Sequence, residues 1–112
     1  MNIKEYKQSA KLIRDNELYK VYDLSELNRL TLSLTELYPQ KATTGHSHSD
    51  ADEIHVFIDG EGLIEVAEQK ISVKAGDVVL IPAGDFHKVY NEGEKNLNFW
   101  TIFEKYSGRG IK

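Results

Sequence analysis

Three of the four histidines in this 112-residue chain fall in one short segment, Gly45-His-Ser-His-Ser-Asp-Ala-Asp-Glu-Ile-His55. His46 and His48 are two residues apart, so on an extended chain both imidazoles leave the same face. Glu53 lies an odd number of residues beyond His48, which on one continuous strand would send it to the opposite face. The intervening Ser49-Asp50-Ala51-Asp52 is turn-prone, however, and a reversal there brings Glu53 back on a neighbouring strand. His87 follows the rigid turn Pro82-Ala83-Gly84 at the end of the apolar run Val78 to Ile81, and supplies a fourth candidate ligand. Three neutral imidazoles and a carboxylate suit one divalent ion: iron, manganese, nickel, cobalt or zinc. An octahedral ion held by His46, His48, Glu53 and His87 keeps about two positions for water or a bidentate substrate. The absence of cysteine removes thiolate-bound zinc, disulfides and a cysteine nucleophile.

Around these ligands, period-two spacing puts His55 and Phe57 on the same inward face as Glu53. His55 is a candidate general acid or base beside a metal. It is equally suited to orient Glu53 or a water from behind. His55 and Glu53 are therefore the candidate catalytic pair. Thr31, Ser33 and Thr35 share one strand face, which either lines a cavity or faces solvent from an edge strand. Tyr38, Tyr90, Phe99, Trp100, Phe103 and Tyr106 supply core, pocket-wall or subunit-contact side chains, and Asp50 and Asp52 read as solvated turn residues. Arg109, near the end of the chain, either grips a carboxylate or phosphate or belongs to a loose terminus.

The elements that must position these groups are strands. In Leu30-Thr-Leu-Ser-Leu-Thr-Glu-Leu37, leucines alternate with polar residues, so one face packs and the other can line a polar cavity. Short β-type runs follow at Ile54 to Ile58, Leu63 to Val66, Ile71 to Val73, Val78 to Ile81, Lys88 to Tyr90 and Leu97 to Phe103. Turn signals separate them at Asp59 to Gly62, Ala75 to Asp77, Pro82 to Asp85 and Asn91 to Gly93. The pattern predicts an all-β antiparallel sandwich or barrel in one domain spanning 1–112. Its core is expected over about 18–104, after an arm or short helix over 1–17, with a short tail over 105–112; Ile3, Tyr6, Ala10 and Ile13 have helical spacing over residues 1 to about 14, where a strand is nearly as well supported. A net charge of −4 argues against a nucleic-acid or anionic-membrane partner. No run is apolar enough for a signal peptide or membrane span, so the expected location is the cytoplasm.

The motifs resemble those of the cupin superfamily. The first, G(X)5HXH(X)3-4E(X)6G, is matched by His46, His48, Glu53 and Gly60, with Gln40 where the opening glycine is expected. The second, G(X)5PXG(X)2H(X)3N, is matched by Gly76, Pro82, Gly84, His87 and Asn91. The resemblance implies a double-stranded β-helix (jelly-roll) barrel of roughly six to eight strands, a buried metal at its wider end, and a homodimer. Thr43-Thr44-Gly45 before the paired histidines is similar to archaeal cupin-type phosphoglucose isomerases. That likeness implies a substrate-binding role for Thr43 and Gly45, with Phe57 nearby. Those enzymes carry a tyrosine where this chain has His55, and they are longer.

Three functions are expected from this reading. The first is metal-dependent isomerase or lyase chemistry on a small sugar, sugar phosphate or other oxygenated metabolite. The second is a metal-dependent dioxygenase, which a pocket walled by Phe57, Phe99 and Trp100 would favour. The third is a non-catalytic barrel that binds a small molecule.

Overall fold

A computed structural model describes residues 1–106. Arg109 lies outside the described residues. The chain opens with α1 (Ile3–Ser9), followed by β1 (Lys11–Asp15), β2 (Tyr19–Leu24), β3 (Leu30–Leu37), β4 (Glu53–Asp59), β5 (Glu61–Val66), β6 (Gln69–Lys74), β7 (Val78–Ile81), β8 (His87–Tyr90) and β9 (Leu97–Glu104). Six strands form one sheet in the order β1-β2-β3-β9-β4-β7, and three form a second in the order β6-β5-β8. Every pairing is antiparallel. This is the expected jelly-roll architecture, with nine strands rather than six to eight among the described residues.

The two sheets meet through one apolar core. Leu37, Phe57, Val79, Ile81, Leu97 and Phe99 from the large sheet pack on Ile64, Val73 and Val89 from the small one. This core fills one end of the sandwich. Toward the other end the same inward faces turn polar, as Thr35, Ser33 and Thr31 follow Leu37 back along β3. Of the two readings left open for the polar face of β3, the structure has the inward one rather than the solvent face of an edge strand. That face is buried against the interior, while Leu34 is buried on the opposite side.

The N-terminal segment corrects the expected boundaries. Helix α1 is capped by Asn2 and Glu5, each side chain bonding the other's backbone N–H. It ends at Ser9, so Ala10 and Ile13 do not extend its face. Lys11–Asp15 then pairs with β2, and sheet structure begins at Lys11 rather than Leu18. Local spacing leaves helix and strand open in this segment, because an edge strand is defined by the neighbour it pairs with. Tyr6 holds the helix on the outside of the large sheet. Its hydroxyl donates to the Leu32 carbonyl at 2.6 Å and lies 3.0 Å from that of Tyr22. Its ring meets Trp100 edge-on at 4.8 Å.

Two further details concern turns. Glu61 and Gly62, expected in a turn, are strand residues, so the β4–β5 reversal is tighter than predicted, with Gly60 at φ 85°. Gln40, standing where the first motif has glycine, adopts φ 62°. Its side-chain amide donates to the carbonyls of Glu92 and Gly93, both at 2.9 Å, which offsets the cost of the left-handed backbone. Asn91 closes the same corner, donating to the carbonyls of Leu37 and Lys95. Among the described residues, no helix is long and apolar enough to cross a membrane.

The Tyr6 anchor gives a stability prediction. Tyr6→Phe removes the hydroxyl but keeps the ring, and should cost about 1 kcal/mol in a urea titration. An unchanged midpoint would mean that these hydrogen bonds do not hold α1 to the sheet.

Candidate metal centre

The site forms where three separate stretches of chain converge. His46 sits in a short bridge to His87, their backbones exchanging hydrogen bonds at 3.1 and 2.9 Å. The His48 carbonyl accepts from Gly84 N at 2.7 Å, tying the first histidine segment to the turn that precedes β8. The chain turns at Ser49 and Asp50, and Glu53 then opens β4, as the turn-prone spacer required. Asp52 is more than a solvated residue, because its carboxylate accepts from Ala83 N and links this turn to the Pro82 turn.

These constraints bring His46, His48, Glu53 and His87 together, with one ligand atom from each lying within 4.8 Å of the others. Ligands about 2.1 Å from a shared ion stand about 3 to 4 Å apart, so the four fit one ion with small side-chain adjustments. Glu53 Oε2 is the focus, 3.0 Å from His87 Nε2 and 3.8 Å from His48 Nε2. Backbone carbonyls select the imidazole tautomers. His46 Nδ1 lies 3.2 Å from the Thr44 carbonyl, and His87 Nδ1 lies 3.1 Å from that of Asp85. A carbonyl only accepts, so each Nδ1–H donates outward, and Nε2 is the ring nitrogen that remains to bind an ion once deprotonated.

Electrostatics reinforce this reading. Burial alone would raise the Glu53 carboxyl, but hydrogen bonds and charge from His55 and His87 outweigh it and hold it below the usual carboxylate range. Burial would lower His87, yet the Glu53 carboxylate lifts it above its ordinary value. His46 is pushed down to about 4, chiefly by burial and then by the charges of His87 and His48.

The remaining candidates are distributed unevenly. His55 is buried on β4, its Nε2 3.5 Å from Glu53 Oε1 and its ring stacked on Phe99 at 5.1 Å. It lines a cavity of about 80 Å³ together with His46, Glu53 and His87. Ser33, Thr35, Thr43, Thr44 and Thr101 also line this cavity. Thr43 is bonded to β8 as well, its hydroxyl accepting from Val89 N at 3.0 Å. Gly45 and Phe57 are not among the lining residues. A Cβ at Gly45 would fall 2.2 Å from the Phe86 ring, so close packing accounts for that glycine. Phe57 belongs to the apolar core. Of the aromatic candidates only Phe99 reaches the cavity, whereas Trp100 packs on Tyr6 and Tyr106 lies against His48 at 4.0 Å.

Sequence reasoning missed Ile13, Arg14 and Tyr19 as cavity residues. Ile13 and Arg14 are placed by the pairing of β1 with β2, and Tyr19 by that of β2 with β3, neither of which the sequence announces.

The Cupin_2 (Cupin domain) family model matches residues 33–103. The chain belongs to the cupin family. It is 30% identical over 95 residues to acireductone dioxygenase 1 of Vitis vinifera, covering 79% of this chain and 50% of that one. It is 30% identical over 113 residues to a glucose-6-phosphate isomerase of Thermococcus onnurineus, covering 87% of this chain and 60% of that enzyme. The crystal structure of TT1209 from Thermus thermophilus superposes with a TM-score of 0.77 at 25% identity, covering 93% of this chain and 97% of that one. This cupin spans about half the length of the curated relatives it matches.

Two measurements test the centre. Replacing His46 and His48 together by Ala should abolish stoichiometric metal by elemental analysis, and His55→Ala should weaken affinity roughly 10- to 100-fold through Glu53. Metal content unchanged in the double variant would refute the ligand assignment. Binding should also release a proton. At pH values below its raised pKa, His87 holds one against Glu53, and the ion must displace it. Affinity should therefore rise about tenfold per pH unit through the histidine range and level off above the raised His87 value. His46, already neutral near pH 7, adds no further release there. Calorimetry in buffers of different ionisation enthalpy reads this directly.

Proposed function

We propose that this cupin is a metal-dependent enzyme that shifts a proton within a small hydroxylated metabolite, such as a sugar, sugar phosphate or hydroxy-ketone, in an isomerase or lyase step. The observation that carries this reading is the cavity wall. Five serine and threonine side chains, Ser33, Thr35, Thr43, Thr44 and Thr101, line the cavity beside His46, Glu53 and His87. Hydroxyls that both donate and accept suit a substrate rich in hydroxyl and carbonyl oxygens.

His46, His48, Glu53 and His87 would hold the ion, which when bound supplies a Lewis acid for adjacent substrate oxygens. The wall hydroxyls bind and orient the rest of the substrate. His55 lines the cavity with its Nε2 3.5 Å from Glu53 Oε1, placing it, when neutral, to take a proton from the carbon beside a carbonyl and return it to the neighbouring atom. Phe99, stacked behind His55, fixes the imidazole plane and keeps water from that side. The exposed Ile54, Val78 and Leu80 on the outer face of the large sheet are compatible with a homodimer.

Dioxygenase chemistry is the competing reading, motivated by the likeness to acireductone dioxygenase. It would be favoured by an aromatic wall, and neither Phe57 nor Trp100 lines the cavity. The test is incubation of the metal-saturated protein with hydroxy-aldehydes and hydroxy-ketones in D₂O. NMR should show deuterium entering at the carbon beside the carbonyl, and His55→Gln at saturating metal should slow it by about 10²-fold or more. Substrate-dependent oxygen consumption by the iron-loaded protein, with no deuterium entry, would replace the isomerase reading with the dioxygenase one.

A further inference from the structure

Arg14 is a charged residue of the cavity wall, among the described residues, that neither the metal ligands nor the hydroxyl wall accounts for. It is placed there by an irregularity in an edge strand. Lys11 and Leu12 pair with Asp23 and Tyr22, but the register then shifts, and Arg14 rather than Ile13 pairs with Val21. The bulge absorbs one residue, so Arg14 and its neighbour both line the cavity while Leu12 stays outside. Strand register carries the consequence across the sheet. A single inward row runs from Arg14 through Val21, Thr35 and Phe99 to Phe57. The adjacent row carries Ser33, Thr101 and His55. Arg14 is thus built into the same inner surface that carries the centre, but from the far edge of the sheet.

Its bonding leaves it available. One Nη1–H donates to the Ile13 carbonyl at 2.8 Å, and among the described residues Arg14 enters no ion pair. Four of its five N–H donors remain for a ligand. Charge points the same way. Glu53 is the only carboxylate among the described residues lining the cavity, and Arg14 is its only permanent cation. A divalent ion neutralised once by Glu53, together with Arg14, leaves the cavity two positive charges in excess. The chain as a whole carries −4. A cationic cavity in an acidic protein selects for anions. Tyr19 and Thr44, whose hydroxyls lie 3.5 Å apart, add neutral donors in the same cavity.

We infer that Arg14 forms an anion subsite, so that the substrate of this centre carries a carboxylate or phosphate in addition to the oxygens it presents to the metal. This rests on the metal reading above and narrows its substrate class to acidic metabolites. A guanidinium fork grips either oxyanion through two parallel hydrogen bonds, which neither a hydroxyl nor a lysine reproduces.

The test uses the cobalt(II)-loaded protein, with metal content measured first, and three probes that share an α-hydroxy acid group. Lactate has no second anion, malate adds a carboxylate, and 3-phosphoglycerate adds a phosphate. By calorimetry, malate or 3-phosphoglycerate should bind at least about tenfold more tightly than lactate, and the stronger of the two identifies the oxyanion. Arg14→Gln should erase that advantage while leaving cobalt content and lactate affinity within about twofold, and Arg14→Lys should restore part of it. Equal affinity for all three acids, or a preference that survives Arg14→Gln, overturns the subsite. A wild-type protein that takes up no cobalt overturns the metal reading and this inference with it. The two failures are read by different measurements.

Discussion

A carboxylate buried among imidazoles is the interaction on which the rest of this molecule is arranged. Glu53 is 6% exposed at the start of a central strand, a position where a lone anion would be strongly disfavoured. It is tolerated because His87, His48 and His55 approach it from three directions. Each approach makes a demand on the fold. His87 must follow a turn rigid enough to start a strand at the correct height, and His48 must be tied to that turn through Gly84. His55 must stay two residues along the same strand. The polar end of the sandwich is organised around one charge, and a cation at its focus would complete it.

The opposite end of the sandwich has the complementary task. Leu37, Phe57, Ile64, Val89, Leu97 and Phe99 bring the sheets together as one apolar cluster. Burial of this cluster supplies the driving force for folding, and most of the buried polar side chains gather around the cavity. Phe99 stands at the boundary, packed in the core on one side and stacked on His55 on the other. Through it the rigidity of the core reaches the imidazole.

The outer face of the large sheet shows how a small domain manages its edges. Helix α1 covers part of it through Tyr6, and the edge strand β1 is interrupted by a bulge. Bulges discourage further strand addition. Here the same irregularity also turns Arg14 inward, so one local distortion serves both the edge and the cavity.

What was legible in the sequence, and what was not, follows from the range of the interactions involved. Period-two alternation and Gly, Pro and Asp turns are local, so strands β3 to β9 could be placed within a residue or two. The ligand types and the turn that returns Glu53 were equally local, and the two motifs identified the cupin barrel. Tertiary structure alone decided which polar face turned inward, that Lys11–Asp15 joins the sheet, and that Phe57 and Trp100 leave the cavity while Arg14 and Tyr19 enter it. Those outcomes depend on pairing between segments distant in sequence and on a one-residue shift in register. A register shift reverses the direction of a side chain without leaving a mark on composition or periodicity. The amino-acid sequence by itself determined the histidine–glutamate cluster and the barrel; the walls of the cavity, and the charge it presents to a substrate, were decided only when the strands met.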